Sequence, residues 1–362
     1  MNKSFPHGKC KIKHNKEGKM NFGIIGCGGI ADRRTIPGMI KSNEVNLIAI
    51  QDINPEAVER VAKKYGIPKK YTSEDELLSN NDIEAVYIGT PVYLHGTQIK
   101  KAADAGKHIL CEKPLCLTEK ETEEIINYCY KKDMVLQVGF MMRYHGYHIK
   151  AKEMIDSGKL GKPVMGRGQL TCWYPPIPGA WRQDPAKGGG GALMDMAIHT
   201  VDILRYMFGE VTAVSSFNGT TIHNYPVEDS GIIMLRFENG AYGICDSFFN
   251  IPDEAAKGVL ELYGTRGSLI AEGTISQVAG GRMVAYLSSE DKGYDAQQER
   301  TGIEAEEIKA ELKDMYLAEV EDFIDAVKKK RKPMNSGEEA LKNLKIILAA
   351  YESQKKGKTI HL

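Results

Sequence analysis

The chain has 362 residues, 42% hydrophobic and 27% charged, with 48 Lys plus Arg against 48 Asp plus Glu and a formal net charge of zero. These are the proportions of a soluble globular protein long enough for two domains. Balanced charge excludes a broad electrostatic grip on nucleic acid or an anionic membrane, and no run approaches the roughly 18 apolar residues of a membrane span.

Residues 1–20, MNKSFPHGKCKIKHNKEGKM, are basic but no apolar segment follows, so they read as a polar arm and not as a signal peptide. Residues 21–143 then alternate short apolar runs with longer amphipathic ones. NFGIIG, VNLIAIQD, IEAVYIGTP, HILCEKP and VLQVGFMM are strands. NPEAVERVAKKYG, GTQIKKAADAGK and TEKETEEIINYCYKKD are helices, and SEDELLSN opens with a capping-box pattern. This alternation predicts an α/β domain with a parallel sheet.

After about residue 145 candidate strands follow one another: PVMGRGQLTCWY, VTAVSSFNGTT, GIIMLRFE, AYGICDSFF, VLELYGT and GSLIAEG, with tight turns at FENGAYG and GTRGS. Residues 144–335 therefore read as an α+β domain with a large, mostly antiparallel open sheet. It includes a long helix over 304 to 330. Residues 336–362 supply a final helix and tail expected to pack back between the domains. The seven cysteines are scattered with no C-x-x-C pair, as expected of reduced thiols in the cytoplasm, and no His/Cys cluster has zinc spacing, so no metal is expected.

GIIGCGGIA places Gly26, Gly28 and Ala31 as G-x-G-x-x-A between a strand and a helix. Gly26 permits the tight turn, Gly28 lets a pyrophosphate approach the backbone, and Ala31 lets the helix pack close. The next strand ends in Asp52, 26 residues after Gly26. Its carboxylate suits the ribose hydroxyls of NAD and repels the 2′-phosphate of NADP. Arg33 and Arg34 leave NADP open, although a solvated helix face is the simpler account of them.

Glu112-Lys113-Pro114 closes a strand of that sheet. Ligands of open α/β sheets lie at the carboxyl ends of strands, which aims Lys113 at the nicotinamide crevice. Pro114 biases Lys113 toward extended backbone. An ammonium there can hydrogen-bond a substrate hydroxyl and stabilise its oxygen as the proton leaves.

Downstream, KGGGGALMDMAIHTVDIL leads four glycines into a helix on which Asp195, His199 and Asp202 share one stripe. A plain polar helix face would explain D-x-x-x-H by itself. Beside a dinucleotide site, His199 is a suitable proton acceptor. The preceding TCWYPPIPGAWRQDP carries Trp173, Tyr174 and Trp181, whose flat faces suit a pyranose or cyclitol, while Arg182, Asp184 and Arg143 can meet hydroxyls.

Together these segments, with TPVYLHGTQIKKAADAGKHILCEKPL and the tail YESQKKGKTIHL, resemble the Gfo/Idh/MocA family (glucose-fructose oxidoreductase, inositol dehydrogenase and rhizopine-catabolism proteins) from about Asn21 to Leu362. The resemblance implies a Rossmann domain followed by a sheet-rich substrate and oligomerisation domain, and a catalytic triad of Lys113, Asp195 and His199. With the readings above, the residues expected at the cofactor are Gly26, Gly28, Gly29, Ile30, Asp52, Thr90, Pro91, His95, Glu112 and Lys113, and those at the substrate Arg143, Tyr174, Trp181, Arg182, Asp195 and His199. The implied reaction is NAD-dependent hydride transfer at a secondary hydroxyl of a sugar, glycoside or inositol, with C3 of a glycoside one such position. Alternatives are an NAD-dependent glycosidase working by oxidation, elimination and reduction, and a non-catalytic dinucleotide sensor; intact Lys113, Asp195 and His199 argue against the sensor. A homo-oligomer is expected. The chain departs from the family at Val92, where Asn is frequent, and in its longer arm, expected to aid dinucleotide retention or assembly.

Overall fold

The computed structural model describes residues 18–288 and 304–362, so the expectation for the arm at 1–17 lies outside the described residues. The chain forms two compact units. The first comprises Met1–Met141 with Asp314–Leu344, and the second Met142–Lys313 with Lys345–Leu362.

In the first unit six short strands, β1 (Met20–Ile25), β2 (Val45–Gln51), β3 (Lys69–Tyr71), β4 (Ala85–Ile88), β5 (His108–Cys111) and β6 (Leu136–Val138), form a parallel sheet in the order β3-β2-β1-β4-β5-β6. The strands are apolar nearly throughout because helices cover the sheet. Local chemistry sets the helix ends. Asn54 caps Pro55–Tyr65, whose chain leaves through Gly66 at φ 69°, and Ser73 and Thr118 cap the helices beginning at Glu74 and Glu119.

The helix expected over 304 to 330 is shorter. It runs Met315–Lys329, capped by the Asp314 carboxylate, while Glu306–Ile308 is a strand of the second unit. Its buried stripe of Met315, Tyr316, Glu319, Val320, Phe323, Ile324 and Val327 packs on the first sheet, with the Phe323 ring 5.7 Å from that of Phe22. That burial is why 314–344 group with the first unit and not with the second, as their place in the sequence suggested. The final helix, Gly337–Lys356, contributes residues to both units.

The second unit is built on β7 (Pro163–Thr171), β8 (Val211–Gly219), β9 (Ser230–Phe237), β10 (Tyr242–Phe248), β11 (Leu260–Gly264), β12 (Gly267–Glu272), β13 (Arg282–Leu287), β14 (Glu306–Ile308) and β15 (Ile360–His361). Their order is β14-β13-β12-β11-β7-β10-β9-β8-β15, and every pairing is antiparallel except β7 with β10. The helix Ile198–Phe208 lies on the central strands, which carry glycines where it presses. A Cβ on Gly168 would stand 2.9 Å from Thr200 Cβ, and one on Gly166 2.8 Å from Leu204 Cδ2. The same sheet leaves Phe217, Ile232, Met234 and Tyr242 exposed.

Candidate active site

In the first unit the strand order reverses between β1 and β4, and the loops leaving these neighbours bear the dinucleotide residues. Gly26 has φ 96°, and a Cβ there would lie 3.0 Å from both the Gly89 carbonyl carbon and Thr90 Cγ2. The close passage of the second loop therefore demands the first glycine. Gly28 differs: a Cβ would meet nothing nearer than Gly89 O at 3.8 Å, so open space faces its backbone. Gly29 and Ile30 complete the turn, with Arg33 Nε donating to Gly29 O at 3.1 Å. Asp52 accepts from the Cys27 amide at 2.7 Å and from the Asn54 amide at 2.9 Å, which holds its carboxylate beside the glycine loop. Burial and then Asp52 push the Cys27 thiol up to about 12. A backbone open at Gly28 and an acid at the end of β2 fit a dinucleotide's pyrophosphate and ribose.

Lys113 leaves β5 half-buried, and its peptide bond to Pro114 is cis. Two of the expected cofactor contacts also bond within the chain. Glu112 accepts from Tyr87 Oη at 2.8 Å, and a Cβ on Gly139 would lie 3.3 Å from the same carboxyl group. His95 is 1% exposed, with Nε2 2.9 Å from Thr90 O and Nδ1 3.0 Å from Pro114 O, so the ring stands between two strand-exit loops. Burial holds its pKa below the usual imidazole range, and a neutral ring donates to one of the two carbonyls at a time. The Thr90 hydroxyl donates to Gln98, and Pro91 directly precedes the helix Val92–Asp104. Val92, the position that departs from the family, is 2% exposed and packs inward.

In the second unit the glycine run proves to be a packing device. A Cβ on Gly190 would lie 1.9 Å from Tyr351 Oη, and one on Gly191 1.9 Å from Glu228 O. The Glu228 carboxylate accepts from the Gly191 and Leu193 amides at 2.9 Å each and from Tyr351 Oη at 2.8 Å. Burial raises its pKa against these donors. The anchored turn Leu193–Ala197 has i→i+5 hydrogen bonding, a widening frequent at functional sites, and continues into Ile198–Phe208. Asp195 sits on the turn and His199 one turn on, 6% exposed.

Arg182 Nε donates to Asp195 Oδ1 at 3.2 Å, its guanidinium 4.3 Å from the centre of the Trp181 ring. Burial opposes the Arg182 charge, but Asp195 and Tyr174 outweigh it and its pKa is raised. Tyr174 packs with Phe249, Ala192 and Met196, which joins the aromatic loop to the helix. Trp173 is 46% exposed and, with Pro252, Asp253 and Glu254, lines an open hollow of about 330 Å³.

Two residues expected at the substrate have partners within the chain. Arg143 is 4% exposed, and its Nε and Nη2 both engage Asp202, at 2.9 and 2.7 Å at closest, so the pair braces the helix from inside. Asp184 caps the turn Pro185–Gly188 by accepting from the Ala186 amide. Among the described residues no group of three or more His, Cys, Asp or Glu side chains is placed to hold a metal ion, and no helix is long and apolar enough to cross a membrane. Sequence reasoning missed Tyr87, Glu228 and Tyr351. A run of four glycines signals that something presses close, but not that the partner stands 37 and more than 150 residues further on.

Residues 20–140 match the family described as "Oxidoreductase family, NAD-binding Rossmann fold", and residues 148–270 match "GFO/IDH/MocA C-terminal domain". The chain is 30% identical over 324 residues to scyllo-inositol 2-dehydrogenase (NAD(+)) of Bacillus subtilis (strain 168), covering 87% of this chain and 88% of that protein. Among solved structures, aldose-aldose oxidoreductase from Caulobacter crescentus complexed with glycerol is similar with a TM-score of 0.85 and 27% identity, covering 95% of this chain and 100% of that one. Levoglucosan dehydrogenase in complex with NADH and levoglucosan is similar with a TM-score of 0.83 and 25% identity, covering 95% and 99%.

Proposed function

We propose that this chain, which belongs to the GFO/IDH/MocA oxidoreductase family, oxidises or reduces a secondary hydroxyl carbon of a sugar, glycoside or inositol. The supporting observation is the placement of Lys113 at the carboxyl end of β5, beside β4 and the chain reversal where dinucleotides bind. NAD is favoured over NADP because Asp52 carries its charge beside the glycine loop, where a 2′-phosphate would be repelled. The bound nicotinamide supplies the hydride acceptor or donor.

The chain's own groups manage the proton. His199 takes it from the substrate hydroxyl as the carbon is oxidised. Lys113 donates a hydrogen bond to that oxygen and lowers the cost of its growing negative charge. Asp195, itself held by Arg182, orients His199 and favours the imidazolium that forms. Trp181 and Tyr174 present flat faces to the C–H faces of a ring. Oxidation at C3 of a glycoside is the finer form of this reading. A homo-oligomer fits a sheet that leaves Phe217, Ile232, Met234 and Tyr242 exposed.

The test is a panel of free sugars, inositols and glycosides with NAD and NADP, read both by reduced-nicotinamide absorbance and by mass spectrometry of products. A keto-sugar or inosose is expected. Free sugar released from a glycoside without net NAD consumption would replace this reading with oxidation-elimination-reduction. No turnover of any polyol would overturn it.

A further inference from the structure

A lysine side chain has four rotatable bonds between Cα and its ammonium. Its placement is no better than that of its backbone. On the near side of Lys113, the Glu112 amide donates to Ile88 O at 2.9 Å. The Glu112 carboxylate also receives Tyr87 Oη at 2.8 Å, and the same phenol accepts from Thr35 Oγ1 at 3.1 Å. On the far side, Pro114 O faces His95 Nδ1 at 3.0 Å while His95 Nε2 faces Thr90 O at 2.9 Å.

Tyr87 and His95 are each 1% exposed. Neither residue has a surface for substrate, and each spends its polar atoms on the segments that enclose Lys113. A buried phenol in the middle of an apolar parallel strand is a costly choice unless its hydroxyl is used. Here it links the helical turn after the glycine loop, through Thr35, to the strand end that carries the lysine.

We infer that Tyr87 and His95 are positioning residues for Lys113, holding its backbone from the two sides: Tyr87 ties the Glu112 side to the glycine-loop helix, and His95, in the tautomer protonated at Nδ1, holds the Pro114 carbonyl. The inference rests on the role proposed for Lys113 and adds the residues that make that role geometrically sharp. Loss of one grip leaves the fold and the dinucleotide site in place but lets the ammonium wander, and placement errors of about 1 Å cost around a hundredfold at the extreme.

The experiment is a double-mutant cycle between Tyr87→Phe and Lys113→Ala, with His95→Gln as a second variant, on the full chain with the best substrate of the panel. Tyr87→Phe keeps the ring and its packing. Expected is a five- to fiftyfold fall in kcat with KM for the dinucleotide within about twofold, and a changed pH profile of kcat. In the Lys113→Ala background the same substitution changes the residual rate by less than twofold, because its effect runs through the lysine. Hydrogen exchange in the peptide spanning 108–117 accelerates in Tyr87→Phe and in His95→Gln, whether or not the enzyme turns over. Equal losses in both backgrounds, or a lowered Tm with unchanged kcat and exchange, overturn the inference. Wild-type turnover in Lys113→Ala would instead remove the reading beneath it.

Discussion

Arg182 Nε donates to Asp195 Oδ1 across 3.2 Å while its guanidinium rests on the Trp181 ring. The aspartate of the D-x-x-x-H pair is therefore held from the aromatic loop that precedes it, and the loop and helix act as one piece. Replacing Arg182 with Ala removes a charge-assisted bond of about 1.5–3 kcal/mol when sheltered, less here because Arg182 is about a third exposed. Steady-state kinetics should show kcat/KM down by about tenfold, with dinucleotide affinity, read by fluorescence titration, unaltered.

Lys113→Ala separates binding from chemistry. It leaves Gly26, Gly28 and Asp52 untouched, so the dinucleotide dissociation constant should stay within about twofold. Turnover should fall by a factor on the order of 10²–10³, the scale of losing a positioned donor. Stopped-flow or steady-state rates near wild type would contradict the assignment.

Asp52→Ala tests cofactor choice. Without the carboxylate the Cys27 amide loses its acceptor, and the ribose hydroxyls lose theirs. NAD affinity should weaken by about tenfold, about one charge-assisted hydrogen bond, and the ratio of NAD to NADP affinity should shrink because the repulsion of a 2′-phosphate is gone. Isothermal titration with both dinucleotides reads each arm.

Gly28→Ala and Gly191→Ala should fail in different ways. The first adds a methyl where only Gly89 O lies within 4 Å, so thermal stability should hold while dinucleotide binding drops. The second drives a Cβ to 1.9 Å from Glu228 O, displacing the amides that the carboxylate holds, and should lower both Tm and activity. Calorimetry beside a dinucleotide titration distinguishes them.

Acid should destabilise the protein before its carboxylates protonate. Burial depresses His108 and His145 to about 4 and His148 to about 3. Each folded-state pKa lies below the unfolded value near 6.5, so the unfolded chain binds more protons in the window between them. Stability is thus complete above about pH 6.5 and declines as pH falls toward 4, by about 1.4 kcal/mol per pH unit for each histidine. Thermal melts should show this fall between pH 6.5 and 4, and a flat Tm across that window would contradict it.

Much of this molecule was readable from the residues because its signals are local. Strand-helix alternation, the Ser73 cap, Gly66 and the turns around Gly240 and Arg266 all act within a few positions, and each lies where the sequence placed it. The glycine loop was legible because a strand, a glycine-rich turn and a helix follow one another within a short βαβ unit, and Asp52 because it closes the next strand, although it lies beyond the roughly 20-residue spacing of the pattern. What escaped depends on distant partners. Arg143 looks like any polar residue after a strand until Asp202 takes it, 59 positions away. The partners of His95 and Glu112 within the chain, the Thr90 and Pro114 carbonyls and the Tyr87 hydroxyl, were likewise out of reach of local pattern. Strand β13, RMVAYL, alternates cleanly but follows a run of turn residues that masked its start.

Gly168 lets Thr200 press directly on β7. The next side chains along that strand, Arg167 and Gln169, point the other way and share the Asp246 carboxylate at 2.9 and 2.6 Å. Only one backbone thickness separates the helix that bears His199 from the opposite side of the sheet. The imidazole of His199 thus rides on a helix seated against a single layer of backbone, whose far side is an ionic and amide cluster around one carboxylate.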